Sequence, residues 1–446
     1  MHSVHHLPVE NMSSQETSNK QAWIVCFSAA LFFFYEFIQM NFFNAISPQL
    51  LASFSMTADQ LAKLSSYYFY ANLFFLFPAG LILDRFSTRK VILSSMFVCV
   101  LGTFLFSLST QIHTAAIFRF LTGIGSAFCF LSCIRLASRW FPARKMALIS
   151  GLIVTMAMLG GFVAQTPMTK LTEMIGWRHT VMLDAGFGLL IMLLIASVVK
   201  DYPESKKAHL AQQKDQLKEI GFFSNARQAY FNTQNWLCGL YTCLMNMPVS
   251  VLGALMGQLY LEQVQHFSPT DASIITSMIF LGTVVGSPTA GFISDKLGRR
   301  KLPMLVGSVI SLLIVAMIMS SIHPSFWSLL FLFLALGFFS STQVISYPTV
   351  AESNSPIITA SAVSVVSFSV ISGYPIAQQL FGRFLDNGWN QLKINNEPIY
   401  SAANFHHAMM LLPIGFIIAF FLSLFIKETR CKPSSENSSN HSRLVH

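Results

Sequence analysis

The sequence contains few charged residues. Only 11% of its 446 residues are Asp, Glu, Lys or Arg, whereas a soluble protein carries about 25% because it must wet its whole surface. This shortage indicates that most of the surface faces lipid. The formal net charge of +9 does not indicate nucleic-acid binding. The Lys and Arg residues lie in short clusters between apolar runs, not along one face.

The sequence also lacks the motifs of disulfide-rich, metal-binding and ATP-hydrolysing proteins. The 7 cysteines form no disulfide framework, since five of them lie within apolar runs, where Cys behaves as a small hydrophobe. Cys129 and Cys133 are one helical turn apart, but no His or acid nearby completes a metal set. The chain also lacks a Gly-x-x-x-x-Gly-Lys-Ser/Thr loop and a soluble domain large enough to hydrolyse ATP. We therefore expect neither a metal nor a cofactor, and no catalytic constellation suggests an enzyme.

Long apolar stretches dominate what is present. About 20 apolar residues cross a bilayer, and twelve such spans are predicted, at 22–46, 62–84, 91–110, 114–138, 146–168, 180–199, 233–261, 272–294, 303–321, 325–347, 360–382 and 405–426. Each span must satisfy its own backbone hydrogen bonds in lipid, so an all-α membrane protein follows. Lys and Arg concentrate in alternate loops, which predicts that both termini face the cytoplasm.

These spans fall into two sets of six. The predicted organisation is a disordered cytoplasmic N-terminus (1–21), a six-helix bundle (22–199), a cytoplasmic linker (200–232), a second six-helix bundle (233–427) and a disordered cytoplasmic tail (428–446).

A short motif occurs once in each bundle. The first copy is Gly80-Leu-Ile-Leu-Asp84-Arg85-Phe-Ser-Thr-Arg89-Lys90, and the second is Gly291-Phe-Ile-Ser-Asp295-Lys296-Leu-Gly298-Arg299-Arg300-Lys301. Asp84 and Asp295 are 211 residues apart (295 − 84), and Gly123 and Gly337 are 214 apart (337 − 123). Two halves with the same orientation, related by a pseudo-twofold axis along the membrane normal, would produce this offset.

Both copies resemble the signature loops of the Major Facilitator Superfamily, which follow the pattern Gly-x-x-x-Asp-Arg-x-Gly-Arg-Arg/Lys between helices two and three and between helices eight and nine. The first copy departs from it, with Ser87 and Thr88 where Gly and Arg are usual. The resemblance implies two parallel six-helix repeats that transport a solute by alternating access. It also implies a charge network that gates the cytoplasmic side, with these candidates: Gly80, Asp84, Arg85, Arg89, Lys90, Gly291, Asp295, Lys296, Arg299, Arg300, Lys301 and Glu352.

Glu36 is the foremost candidate for binding. It lies about 20 Å along the first span, close to the midplane, with Gln39 near the same face and Asn44 beyond it. Burial disfavours the charged form of a carboxyl, so Glu36 can exchange a proton or bind a substrate ammonium. The alternative is a structural Glu that is hydrogen-bonded by a tyrosine of the next helix, such as Tyr68.

Arg119 opens the stretch Arg-Phe-Leu-Thr-Gly123-Ile-Gly125, which resembles a family motif whose arginine is implicated in proton coupling or substrate anchoring. Two interpretations stay open: a guanidinium inside the bundle that binds a carboxylate, or an arginine that extends to the outer interface. The resemblance further favours Tyr241, Asn246, Gln343 and Tyr347 as cavity-lining residues. Asp184 is expected at the interface.

The sequence thus predicts a secondary transporter for a small polar solute (an amino acid, a small peptide or an organic acid), with proton-coupled uptake as the first choice. A uniporter, an efflux antiporter, and a receptor or channel are the alternatives. The expected partners are the solute, protons and the lipid bilayer, and the expected state is a monomer in a bacterial inner membrane.

Overall fold

The computed structural model describes residues 10–141, 146–202, 228–320, 324–354 and 359–431. Most of the predicted linker, the end of the tail and residues 1–9 lie outside these ranges. The N-terminal half consists of α1 (Glu10–Asn41), α2 (Phe43–Phe54), α3 (Ala58–Arg85), α4 (Thr88–Ser107), α5 (Ile112–Ser126), α6 (Cys129–Trp140), α7 (Met146–Val163) and α8 (Thr166–Val198). Residues 10–21, expected to be disordered, belong to α1, so the first helix begins well before the first span.

The C-terminal half has the same plan with more breaks. It contains α9 (Thr233–Met245), a π-helical stretch (Val249–Met256), α10 (Gly257–Gln263), α11 (Pro269–Leu297), α12 (Lys301–Ser320), α13 (Phe326–Ser340), a 3-10 turn (Ser341–Ile345), α14 (Ser346–Ser353), α15 (Thr359–Asp386), a two-stranded hairpin of β1 (Lys393–Ile394) and β2 (Glu397–Pro398), α16 (Ala402–Met409) and α17 (Leu411–Phe425). Pairs of these elements, such as α1 with α2, continue one another as single spans.

Local sequence explains the helix boundaries. Thr57 and Gln60 form a capping box at the start of α3, and the Ser87 side chain accepts from Lys90 N at the start of α4. Gly298 ends α11 in the left-handed region (φ 60°), where glycine has no Cβ penalty. Gly176 (φ 78°) bends α8 between the fifth and sixth spans.

By length and composition, eight helical stretches of the described chain can cross a membrane, or nine when the bent pair Thr233–Met245 and Val249–Gln263 is counted as one span. The stretch Gly151–Val198 contains the Gly176 bend and thus two spans. With α3 and α15, which carry more polar side chains, the helices group into the twelve predicted spans.

The repeat is visible in matching helix contacts. A Cβ on Gly123 would lie 2.2 Å from the carbonyl oxygen of Tyr68, and a Cβ on Gly337 would lie 2.1 Å from that of Ile279. Tyr68 and Ile279 are themselves 211 residues apart (279 − 68). The same close approach therefore joins α5 to α3 in one half and α13 to α11 in the other.

The two halves meet mainly along α3 with α15 and along α7 with α11, and α2 also packs against the π-helical stretch and α10. Among the described residues, the hydrogen bonds that join the halves gather toward the end that carries the β-hairpin. We call this the hairpin end, and we call the opposite end, which carries the two motif copies, the basic end.

Candidate functional site

The carboxyl group of Glu36 is inside the bundle. Its side chain is buried, and Tyr68 of α3 donates a hydrogen bond to Oε1. The tyrosine partner suggested by the sequence is therefore real, but it satisfies only one oxygen. Glu36 Oε2 is buried and has no hydrogen-bond partner within the described ranges. An ionisable group in that position is costly to keep in a membrane protein without a function.

Arg119 is enclosed by aromatic rings and does not extend to an interface. Only 1% of it is exposed, and its Cζ lies 5.2, 4.4 and 4.5 Å from the ring centroids of Phe42, Phe43 and Tyr68. Nη1 donates to the main-chain carbonyl of Gln39 at 2.8 Å, whereas Nε and Nη2 have no hydrogen-bond acceptor in the described part of the chain. Cation–π contacts hold the guanidinium, and two of its donor atoms stay available.

Tyr68 connects the acid and the base. Its hydroxyl donates to Glu36 and its ring faces Arg119. Gly123 lies one helical turn beyond Arg119 on α5, and its tight contact with the Tyr68 backbone holds α3 against α5 at this level. The Arg-x-x-x-Gly spacing therefore positions the side chain that bridges the two charged groups.

Gln39 and Asp184 form a second polar group beside the first. Gln39 Nε2 donates to Asp184 Oδ2, and Gln39 Oε1 accepts from Thr103 at 2.8 Å. Asp184 is buried, so the expectation that it lies at the interface is wrong. The sixth span starts directly after the Gly176 bend, earlier than the predicted residue 180, so Asp184 lies about two turns inside it and its side chain reaches Gln39.

The C-terminal half contributes neutral groups. Asn246 and Gln343 exchange two hydrogen bonds, one of them from Gln343 Nε2 to Asn246 Oδ1 at 2.9 Å. Tyr347 is half-buried against the main apolar cluster. Tyr241 does not join this group, because its hydroxyl donates to the carbonyl of Met304 on α12 at 2.9 Å.

One aromatic contact brings the halves together beside Glu36. Phe69 of α3 and Tyr374 of α15 have ring centroids 5.1 Å apart, and both belong to a small buried cluster with Met40 and Tyr68. The charged residues of the N-terminal half therefore border the interface with the C-terminal half.

Asn44 lies in the hairpin-end contact and not with Glu36. Its Nδ2 donates to Gln165 at 2.7 Å, and its Oδ1 accepts from the Gln258 backbone at 3.0 Å. Gln165 in turn donates to the Gly253 carbonyl at 2.9 Å within the π-helical stretch, and Thr169 donates to Gln258 at 3.0 Å. Asn44 thus helps to join the two halves.

The second motif copy forms an ion network inside the C-terminal half. Arg300 donates to Asp295 at 2.6 Å and, through Nε and Nη2, to both oxygens of Glu352 at 3.2 and 2.6 Å. Lys296 and Arg299 are exposed, and a Cβ on Gly291 would meet nothing within 4 Å. Glu352 therefore pairs with its own half, and Gly291 makes no close helix contact here.

Glu428, which the sequence does not mark, completes this network. Its carboxylate accepts from the backbone N–H groups of Arg300 (2.8 Å) and Lys301 (3.0 Å), the start of α12. Burial opposes ionisation of Glu428, but these backbone donors and that of Arg430 hold the pKa of the carboxyl below its ordinary value.

In the first copy, the side chains of Asp84 and Arg85 lie outside the described residues, and Gly80 is known only as part of α3. Asp201 has the role there that Glu428 has in the second copy. It accepts from Arg89 N at 2.9 Å and from the Ser87 hydroxyl, while the side chain of Lys90 is exposed. In each half an acid after the sixth helix thus caps the start of the third.

The sequence matches the Major Facilitator Superfamily over residues 25–247 and 238–445, which together span almost the whole chain. The chain belongs to this superfamily. Twelve helices in two six-helix repeats are the family's architecture, and the protein is therefore a multi-pass membrane protein. Among the described residues, no group of three His, Cys, Asp or Glu is placed to hold an ion.

Several relatives are named as transporters. A probable sulfoacetate transporter of Cupriavidus necator is 23% identical over 60% of this chain and 64% of its own length. A lysosomal dipeptide transporter of Danio rerio is 24% identical over 60% of each chain, and a sialic acid transporter of Escherichia coli is 24% identical over 52% of this chain and 55% of its own. The chain thus matches less than two thirds of the length of each relative.

Solved structures agree on the fold. A bacterial homologue of the human lysosomal transporter Spinster, in an inward-facing and unoccupied conformation, superposes with a TM-score of 0.73 at 16% identity, covering 92% of this chain and 97% of that one. A D-xylose–proton symporter gives a TM-score of 0.69 at 13% identity, covering 92% and 99%.

Proposed function

We propose that the protein is a proton-coupled secondary transporter of a small organic solute that carries an acidic group. The observation that carries the proposal is the buried set of Glu36, Tyr68 and Arg119 at the middle of the first span. A carboxyl that borders the interface between the halves can take up a proton from one side and release it to the other. The unused donors of Arg119 suit a carboxylate, phosphate or sulfonate.

The two repeats differ in charge, which supports different roles for the two halves in binding the solute. The position equivalent to Arg119 in the second repeat is Phe333 (119 + 214), which is fully buried. The C-terminal half instead offers the neutral pair Asn246 and Gln343. We assign proton exchange and the acidic end of the solute to the N-terminal half, and hydroxyl or amide groups of the solute to the C-terminal half.

The relatives support an acidic solute. Sulfoacetate and sialic acid carry an anionic group, and dipeptides carry both a carboxylate and an ammonium. The contacts at the hairpin end support a state closed on that side. With the basic end toward the cytoplasm, as the Lys and Arg distribution favours, this state opens inward and both termini are cytoplasmic. The bacterial relatives favour a bacterial inner membrane.

Uptake by proteoliposomes tests the proposal. Radiolabelled sulfoacetate, sialic acid, galactarate and dialanine would be offered with the external medium acidic, with and without a protonophore. We expect accumulation of at least one probe, its loss with the protonophore, and its loss in Glu36→Gln. Glu173→Gln, the same change at an exposed acid of α8 whose remaining carbonyl oxygen can still accept from Thr270, is the matched control. Uptake that survives the protonophore and Glu36→Gln would identify a uniporter if it stops at equal concentrations, and another coupling ion if the solute still accumulates.

A further inference from the structure

Gln39 is a junction at which four helices meet. Its side-chain amide donates to Asp184 of α8 and accepts from Thr103 of α4, and its main-chain carbonyl accepts from Arg119 of α5. Gln39 itself lies on α1, one turn from Glu36 and on the same face. A change at Asp184 therefore reaches Arg119 through one residue.

Asp184 is a buried acid with a neutral partner. It is 6% exposed, and within the described chain no Lys, Arg or His lies at ion-pairing distance from it. Among the described residues, Tyr35 of α1 and Cys99 of α4 are titratable groups that interact electrostatically with Asp184, and Cys99 also interacts with Glu36 and Arg119 in the same core. Tyr35 packs on Gly188, one turn along α8. A carboxylate that only an amide stabilises is expensive to keep charged in a membrane.

The hydrogen bonds of Gln39 depend on the proton at Asp184. The ionised carboxylate only accepts, so the Gln39 amide must present its N–H group to it. The protonated carboxyl can donate its O–H to Gln39 Oε1, which turns the amide around, so that the Thr103 hydroxyl accepts from Gln39 Nε2 instead of donating to Oε1. Gln39 also supplies the main-chain carbonyl that binds Arg119, so any shift of α1 that accompanies this rearrangement would change how the guanidinium is held.

We propose that Asp184 is a second proton-carrying group of the transport cycle and a positioning residue that acts on Arg119 through Gln39. This inference rests on the proposed proton coupling, and it adds a second carboxyl on a different helix. One proton binds to an Asp184 carboxylate oxygen and later leaves from it, so no other reactant is needed.

Infrared difference spectroscopy tests whether Asp184 titrates without the need for a known solute. Purified protein in detergent would be compared between about pH 5 and about pH 9, a range in which buried carboxyls change charge. We expect one carbonyl-stretch band of a protonated carboxyl to be lost in Asp184→Asn and another in Glu36→Gln. Asp184→Glu should restore a shifted band, and Glu173→Gln should leave both bands in place. Size-exclusion profiles would confirm that each variant is folded.

The positioning role requires a second readout. Spin labels at Met174 of α8 and Leu392 beside the hairpin, both exposed and on different halves, report the distance across the hairpin end. We expect Asp184→Asn to shift the pH midpoint of this distance, and Asp184→Glu to restore it in part. A wild-type pH profile in Asp184→Asn, or a wild-type infrared spectrum, would overturn the inference. If the wild-type spectrum has a band that Glu36→Gln removes but none that Asp184→Asn removes, only this inference fails and the proposed function stands. If Glu36→Gln also leaves the spectrum unchanged, the proposed function fails as well.

Discussion

Asp386 in the C-terminal half caps the helix that begins at Ala58 in the N-terminal half. Its carboxylate accepts from Ala58 N at 3.2 Å and from Asp59 N at 3.0 Å. The Tyr400 hydroxyl accepts from Ala58 N at 2.8 Å and donates to Asp386 at 2.7 Å. Arg383 adds an ion pair to Asp59 at 3.4 Å. These bonds can exist only while the hairpin end is closed.

Asp386→Ala should therefore open the hairpin end. Loss of a helix-capping acid costs about 1–2 kcal/mol, which corresponds to a shift of about 5- to 30-fold in the ratio of closed to open molecules. Distances between spin labels at Met174 and Leu392 would report the two populations. Asp271→Ala is the control, because Asp271 lies in the first turn of α11 at the same end and bonds within its own half. Equal distributions in Asp386→Ala and wild type would show that the cap does not hold the gate.

The glycines of the repeat should tolerate no methyl group. In Gly123→Ala and Gly337→Ala the new Cβ would overlap a carbonyl oxygen of the neighbouring helix, so we expect a loss of about 1–3 kcal/mol or more in the free energy of unfolding. Thermal unfolding of purified protein in detergent measures this loss. Gly151→Ala, where nothing lies within 4 Å of the added Cβ, should be neutral. Stable Gly123→Ala protein would contradict the helix contact.

The sequence was sufficient for the fold because its motif copies and glycines recur 211 to 214 residues apart and its spans have the length that a bilayer requires. It also marked Glu36, Gln39, Arg119, Asn246 and Gln343, but not that the last two pair with each other. It could not mark Asp386, because that residue reads as an ordinary loop acid whose partner lies 328 residues away.

The other differences have the same origin. Asn44 and Tyr241 are polar residues in spans, and only the packed bundle shows that their partners lie at the hairpin end and on α12. Glu428 stands out only once α17 returns it to the start of α12. A lone polar residue in an apolar run indicates that it has a hydrogen-bond partner. Where that partner lies depends on how the helix is rotated in the bundle, and composition does not encode this rotation.

The amide pair of the C-terminal half should behave as a unit. Asn246→Leu leaves the buried amide of Gln343 unpaired, and Gln343→Leu leaves the half-buried amide of Asn246 unpaired; each loss costs about 1–3 kcal/mol. The double variant removes both groups, so its loss should be smaller than the sum of the single losses. A double-mutant cycle on the free energy of unfolding in detergent measures this coupling. Strict additivity would contradict a direct interaction.

Acid should weaken the basic end through Glu428. The pKa of this carboxyl is lower in the folded protein than in an unfolded chain, so its contribution to stability is complete above the ordinary pKa and is lost as the pH falls through the folded value. Glu428→Gln should be less stable than wild type at neutral pH, and the difference should shrink in acid. Thermal unfolding as a function of pH checks this. A difference that grows in acid would have the wrong sign.

Alternating access is tested most directly by distances measured at both ends in the same protein. Phe86 and Leu297 are exposed and occupy equivalent positions of the two repeats at the basic end (297 − 86 = 211); Met174 and Leu392 report on the hairpin end. Double electron–electron resonance on each labelled pair, from acid to alkaline pH, should show one distance lengthening as the other shortens. The account would be contradicted if both distances lengthened or shortened together. It would also be contradicted if neither distance changed with pH in wild type or differed between wild type and Asp386→Ala.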